Sequence, residues 1–360
     1  MNRRLMSLTC ALLWPSLLKC SAHAVSGAAN DPNFQIRFYE KKLDKHPRLF
    51  AGFAQLGAAY LEKARETHDV TWLKKARHAL ERSLDIQPNL NAYAAMAGLS
   101  NFSHHFERAL DFAERTANAH PGDPRVLVLK VEANLGLGRL REVAELLDAT
   151  SIRNSKNDVT LPVIRGRWLA EQERYDEARN AFADAAAQAR AAGAFDMAIW
   201  AETNAAGMML DSKQPEHAIA HLKAASNMPA GKRSIQSVLR IHWAEYHELR
   251  GEPEQALREY EALLGEQQDP ELFRRAFVLA RTLGQADRAK EFFTACEQAA
   301  ERIADAGEIF ALETQARLYA DAKVKLDRAE QLTLQSFEYK RDRSARETLA
   351  YVRSQRKIAE

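Results

Sequence analysis

Apolar positions along this chain recur at helical spacing, in paired amphipathic segments separated by short turns. The clearest pair opens with Phe53-Ala-Gln-Leu56-Gly57-Ala-Ala-Tyr60. It continues as Ala76-Arg-His-Ala-Leu80-Glu-Arg-Ser83, ahead of Pro88. An apolar residue, two further positions and a small residue then return as Phe106-Glu-Arg-Ala109, Leu140-Arg-Glu-Val143, Tyr175-Asp-Glu-Ala178 and Pro215-Glu-His-Ala218. Pro253-Glu-Gln-Ala256, Ala286-Asp-Arg-Ala289 and Leu326-Asp-Arg-Ala329 complete the series. The small-residue position of each copy, Val in one of them, falls at 76, 109, 143, 178, 218, 256, 289 and 329, so the intervals are 33, 34, 35, 40, 38, 33 and 40. A hairpin of two such helices cannot bury both apolar faces alone, so this period predicts a stacked array.

The spacing assigns jobs to particular residues. Gly57, Ala97, Gly166, Ala206 and Ala244 let each first helix approach its partner closely, and the small residue at 76, 109, 178, 218, 256, 289 and 329 does so from the second. Leu80, Phe182, Leu222, Tyr260 and Phe293 fill the space between units, while Pro88 and Pro121 stop second helices. The seven extra residues between Tyr60 and Ala76 imply a widened turn or added helical turns. The 40-residue intervals imply longer second helices over Ala183–Ala192 and Cys296–Ala306. Val143 and the stretch Asn157–Pro162 make the third and fourth units the least regular.

The opening motif (aromatic, x2, Leu, Gly, x2, Tyr) and the eight copies of the second-helix signature resemble the tetratricopeptide repeat family. That resemblance implies an all-α fold, a right-handed superhelical α-solenoid of about eight helical hairpins with a C-terminal capping helix. It divides the chain into an N-terminal helix within residues 25–46, the array over 47–343 and the cap over 344–360. It further implies a non-catalytic scaffold that holds a peptide or partner helix in the concave groove lined by the first helices. On that register Asn91, Asn101, Arg125, Glu132, Arg167, Trp200, Glu245, Glu248, Arg274 and Arg281 line the groove. Family members that clamp a C-terminal carboxylate use Lys and Asn at set groove positions. Here Ala54, Ala58, Ala94 and Gly98 take those places, which removes the clamp and leaves a smooth groove suited to an apolar segment.

The first 24 residues read as a leader. Arg3-Arg4 precedes an apolar run from Leu5 to Leu18, and Ala22-His23-Ala24 supplies a small-x-small cleavage pattern. The run is shorter than the roughly 20 residues a spanning helix needs, so cleavage after Ala24 and export, to a periplasm in a bacterial-type envelope, is the expectation, with no transmembrane segment left. A lipidated Cys20 is the competing route, although Lys19 replaces the small residue that processing favours. The formal charge of +2 falls to −1 once Arg3, Arg4 and Lys19 leave, which gives no electrostatic case for nucleic acid. Cys10 and Cys20 leave too, so Cys296 has no intramolecular disulfide partner and a packed core must carry stability.

Candidate chemistry is thin. No phosphate loop, nucleophile elbow or zinc-protease helix is present, so neither enzyme activity nor a cofactor is expected. His217 and His221 share one helical face at i,i+4 but lack a nearby third ligand, and the register turns both toward solvent. His242 and His247 are five apart and diverge by roughly 140°. His104-His105 reads as a turn, Asn101-Phe-Ser103 as a formal glycosylation acceptor, and Cys296 as a buried inert thiol. Lys340-Arg-Asp-Arg343-Ser-Ala-Arg346, the most basic stretch, reads as a solvated cap. A second function remains open at this point, an accessory subunit of an envelope enzyme or transport complex that binds metal or carbohydrate through His and Trp.

Overall fold

The computed structural model describes residues 31–151, 160–229 and 232–359. The leader, Cys10, Cys20 and residues 157–159 of the irregular fourth-unit start lie outside them. Among the described residues the chain is all helix, an α-solenoid of eight hairpins. After α1 (Pro32–Lys45), the hairpins are α2 (Phe50–Thr67) with α3 (Val70–Ile86), α4 (Leu90–Phe102) with α5 (Phe106–Ala119), and α6 (Pro124–Gly136) with α7 (Leu140–Ser151). They continue as α8 (Thr160–Glu171) with α9 (Tyr175–Ala191), α10 (Phe195–Asp211) with α11 (Pro215–Ser226), and α12 (Arg233–Leu249) with α13 (Pro253–Leu264). The last two are α14 (Pro270–Thr282) with α15 (Ala286–Asp305) and α16 (Leu312–Ala322) with α17 (Leu326–Tyr339), followed by α18 (Arg343–Ala359).

Each hairpin is made by one tight turn. His104, Gly138, Glu173, Lys213, Gly251 and Gly284 stand at the same place in six units, all with positive φ between 59° and 74°. In each, the next residue's N–H reaches back five residues to a carbonyl of the first helix, as Arg139 does to Asn134 at 2.8 Å and Gln285 to Ala280 at 2.9 Å. This left-handed cap satisfies carbonyls that the helix end would leave open. Only three of the six turn residues are glycine, which is why the turn is blurred in the sequence.

The joints inside the units follow the spacing argument. A Cβ on Gly57 would come within 2.5 Å of Leu80 Cγ, and one on Gly166 within 2.6 Å of Phe182. The small residue of the first helix therefore receives the large residue of the second. The extra residues of the first unit become helical turns, since α2 and α3 run 18 and 17 residues with only His68 and Asp69 between them. The longer intervals do lengthen second helices, to 17 residues in α9 and 20 in α15.

A feature absent from the nearest-neighbour picture shapes the whole molecule. The array returns on itself after six units, and its second turn stacks on its first. At the first hairpin's turn, Thr67 O accepts from Gln268 N at 2.8 Å, and His68 lies 3.7 Å from Asp269, both at the start of the seventh unit. At the start of the eighth, Glu308 receives Arg77 at 2.6 Å and faces His105 at 3.7 Å. Phe310 packs its ring against Phe102 and His104, with centroids 5.8 and 6.3 Å away. The third hairpin's turn gives Gly136 O to Arg341 N at 2.8 Å. Arg343, at the start of α18, donates to Tyr175 OH at 2.7 Å. Ser234 on α12 likewise donates to Glu62 on α2 at 2.7 Å.

Candidate partner-binding site

The first helices bring the ten groove candidates into two groups of different character. On α4, α6 and α8 they form a polar ladder that runs from one unit to the next. Arg125 donates to Asn91 Oδ1 at 3.1 Å while its other nitrogens fork onto Asp123 at 2.7 and 2.9 Å. Asp123 caps α6 through the Arg125 N–H, and that arginine holds its carboxyl below the usual range against the upward push of burial. Glu132 on α6 pairs with Arg167 on α8. These four side chains are half-buried and keep part of their surface at solvent. Asn101 belongs to the same region but is buried, and its amide donates to Leu129 O at 3.1 Å. That burial also closes it as a glycosylation acceptor.

From α10 onward the register leads mostly inward. Trp200 was expected on the groove wall; it is 1% exposed and belongs to the core with Phe182, Met208 and Val238. Each residue of α10 from Met197 to Leu210 is buried. A helix apolar on all sides is an interior helix, and the run Met197-Ala-Ile-Trp-Ala already carries that signal. Glu245 and Arg274 are sealed as well, at 4% and 5% exposure. They belong to a buried charge network that ties α12, α14 and α16 together. Arg275 reaches Glu245 at 2.8 Å, Glu248 at 3.4 Å and Glu271 at 3.1 Å. Arg274 binds Glu271 at 2.6 Å and Asp321 at 2.5 Å. Burial alone would raise Glu271, but the two guanidiniums hold it near 2. Burial keeps Glu248 above its ordinary value and Tyr260 well above its own. Arg281 is exposed and donates to Asp321 O at 2.6 Å. These groups satisfy one another across neighbouring units, and a buried pair of this kind fixes geometry more than it adds stability.

The smooth N-terminal groove is also used up. Ala54, Ala94 and Gly98 are buried, and the start of α12 lies against α2 beside them.

Other candidates resolve individually. His217 is exposed and bonds only with Gln214, whereas His221 is not turned freely to solvent. Its Nδ1 meets Glu202 at 2.7 Å, and Arg190 binds the other oxygen of that carboxylate at 2.6 Å. His242 and His247 diverge onto separate carboxylates, Glu245 at 2.5 Å and Glu252 at 2.6 Å. Cys296 is fully buried with Sγ 3.2 Å from Pro270 O, and burial raises its thiol well above the ordinary value.

The largest corrections lie where the two turns meet. The basic stretch at 340–346 is no solvated cap. Lys340 is 2% exposed and held by Glu313 at 3.1 Å and Asp342 at 3.5 Å. His104 is a turn residue, as expected, but it is buried against Phe106 and Phe310. No local signal marks Glu308, Phe310 or Glu313 as their partners.

Searches against family models and curated proteins gave no match. Among solved structures, the chain is similar to a tetratricopeptide-repeat assembly, the APC/C hetero-tetramer Cut9-Hcn1. The TM-score is 0.58 at 13% identity, over 92% of this chain and 61% of that one. The chain thus spans less than two thirds of that neighbour's length, and the likeness speaks for the fold alone.

Proposed function

We propose that this protein is a non-catalytic scaffold, exported to the periplasm with its leader removed after Ala24, that holds a protein partner as a peptide or helix. The contact surface is the concave ladder of units two to four. One observation carries this reading: Asn91, Arg125, Glu132 and Arg167 stay partly solvent-facing on consecutive first helices, while Trp200 on α10, Glu245 on α12 and Arg274 on α14 are sealed. Arginine is enriched at binding hot spots, and partner segments commonly dock as a helix or strand in a groove.

The test is site-specific photo-cross-linking in the envelope of the native host. A photoreactive residue at 91 or 167 is expected to give one discrete adduct with a chain that begins at Val25. The same residue at the exposed convex position Ala220 is expected to give none. Equal labelling from both faces, no adduct at all, or a chain that retains Met1 would defeat the proposal.

A further inference from the structure

The first helix carries two opposed apolar faces, and the array uses one of them. Ile36 and Leu43 are buried, and Glu40 on the flank accepts from Tyr60 OH at 2.6 Å, which anchors α1 to α2. On the opposite side Phe34 and Phe38 stand 43% and 48% exposed, one turn apart, with ring centroids 6.2 Å from each other. Lys42 Nζ lies 5.7 Å over the Phe38 ring. At 3.6 residues per turn, Arg37, Lys41, Lys42 and Lys45 fall with the two phenylalanines in an arc of roughly 140°. All four cations are exposed, and the acids Glu40 and Asp44 lie beyond the arc.

We propose that this face of α1 docks the protein on an anionic phospholipid surface. An exposed aromatic pair ringed by lysine and arginine is the arrangement of an interfacial helix, with rings at the acyl boundary and cations among the headgroups. Charge selects the occupant. A second copy would bring the same four cations against each other about a two-fold axis, whereas an anionic bilayer attracts each of them. The attachment is peripheral and reversible, since two rings bury little area. It leaves the ladder of the proposed function free, because α1 stands at the other end of the first hairpin from α6 and α8.

Flotation of the full chain with vesicles tests this. Vesicles of phosphatidylglycerol with phosphatidylethanolamine are expected to recover the wild type at least tenfold better than vesicles of phosphatidylcholine with phosphatidylethanolamine. Raising the salt to about 0.5 M should remove most of that preference, because the screening length shrinks to a few ångströms. Phe34→Ala with Phe38→Ala, and separately Lys41→Glu with Lys42→Glu, should each lower recovery on anionic vesicles at least tenfold with helix content unchanged. Recovery that ignores both headgroup charge and these substitutions is what anchoring by residues 5–18 would give, and it overturns the proposal. So does capture of poly-glutamate without vesicle binding, or a dimer that both variants dissolve.

Discussion

The joints inside the hairpins and the seam between the two turns of the array are held by different kinds of contact. Inside a unit, Gly57 receives Leu80 and Gly166 receives Phe182, dry contacts between the two helices of one repeat. Across the seam, most contacts are polar and span long stretches of chain. Gly136 meets Arg341, Tyr175 meets Arg343, and Arg77 with His105 meets Glu308, around one apolar centre at Phe102 and Phe310. The difference teaches that this solenoid is not a strict chain of nearest neighbours. Its hairpins are specified one at a time, while its closure depends on charges that become buried only when the second turn arrives.

The largest effect should come from the most buried ion pair beside the seam, Lys340 with Glu313, which joins α16 to the end of α17 within the eighth unit. Lys340→Ala leaves Glu313 charged and sealed without its cation, a loss of about 3–5 kcal/mol. Replacing both partners together, Lys340→Met with Glu313→Leu, should restore most of that, since two apolar side chains need no counter-charge. Urea unfolding midpoints check it. A double variant as weak as the single one would mean that the pair does more than neutralise itself.

A smaller loss should follow overpacking of a joint, and its reach separates the two kinds of contact. Gly57→Leu pushes into Leu80 and should cost about 1–3 kcal/mol or more. In a strict nearest-neighbour array the disturbance would stay in the first two units. With the seam in place, hydrogen exchange should also quicken at 266–271 and 306–313, far along the chain. Protection unchanged there would show that the seam does not couple the turns.

Legibility in the sequence follows the same division. The hairpins are readable because Gly166 with Phe182, Ala206 with Leu222 and Ala244 with Tyr260 return at one offset of 16 residues, so one unit predicts the next. The seam has no such period. Lys340-Arg-Asp-Arg343 looks solvated because a charge run on a helix end usually is, and nothing within thirty residues reveals Gly136 or His104 as its neighbours. The groove falls between these cases. The register correctly put Trp200 and Arg274 on first helices, but Trp200 packs into the core with Phe182, and Arg274 is sealed against Glu271 and Asp321 of its own and the next unit.

Protons give the finest distinction, because the seam holds two titrating groups of opposite sign. Burial drives His104 down from 6.5 to about 3, with Lys340 adding to the push. Burial drives Asp342 up from 3.8 to about 7, against Lys340 and with Glu313 and Glu171. For His104 the unfolded chain takes the proton first, so its contribution is lost as pH falls from 6.5 toward 3. For Asp342 the folded chain holds the proton first, so stability is gained as pH falls from 7 toward 3.8. The two windows overlap between about pH 4 and 6.5, where the slopes oppose. His104 and Asp342 together should therefore add no net tilt to the wild-type unfolding midpoints across that range. Asp342→Asn keeps the cap that Asp342 Oδ1 gives Ala345 N–H at 2.9 Å, and it should make the protein weaken as pH falls. His104→Asn, which tolerates the same left-handed turn, should make it strengthen, and the double variant should be level again. A joint variant such as Gly57→Leu carries no titrating group and should shift the whole curve without tilting it. Equal tilt in wild type and Asp342→Asn would show that burial does not raise the Asp342 carboxyl.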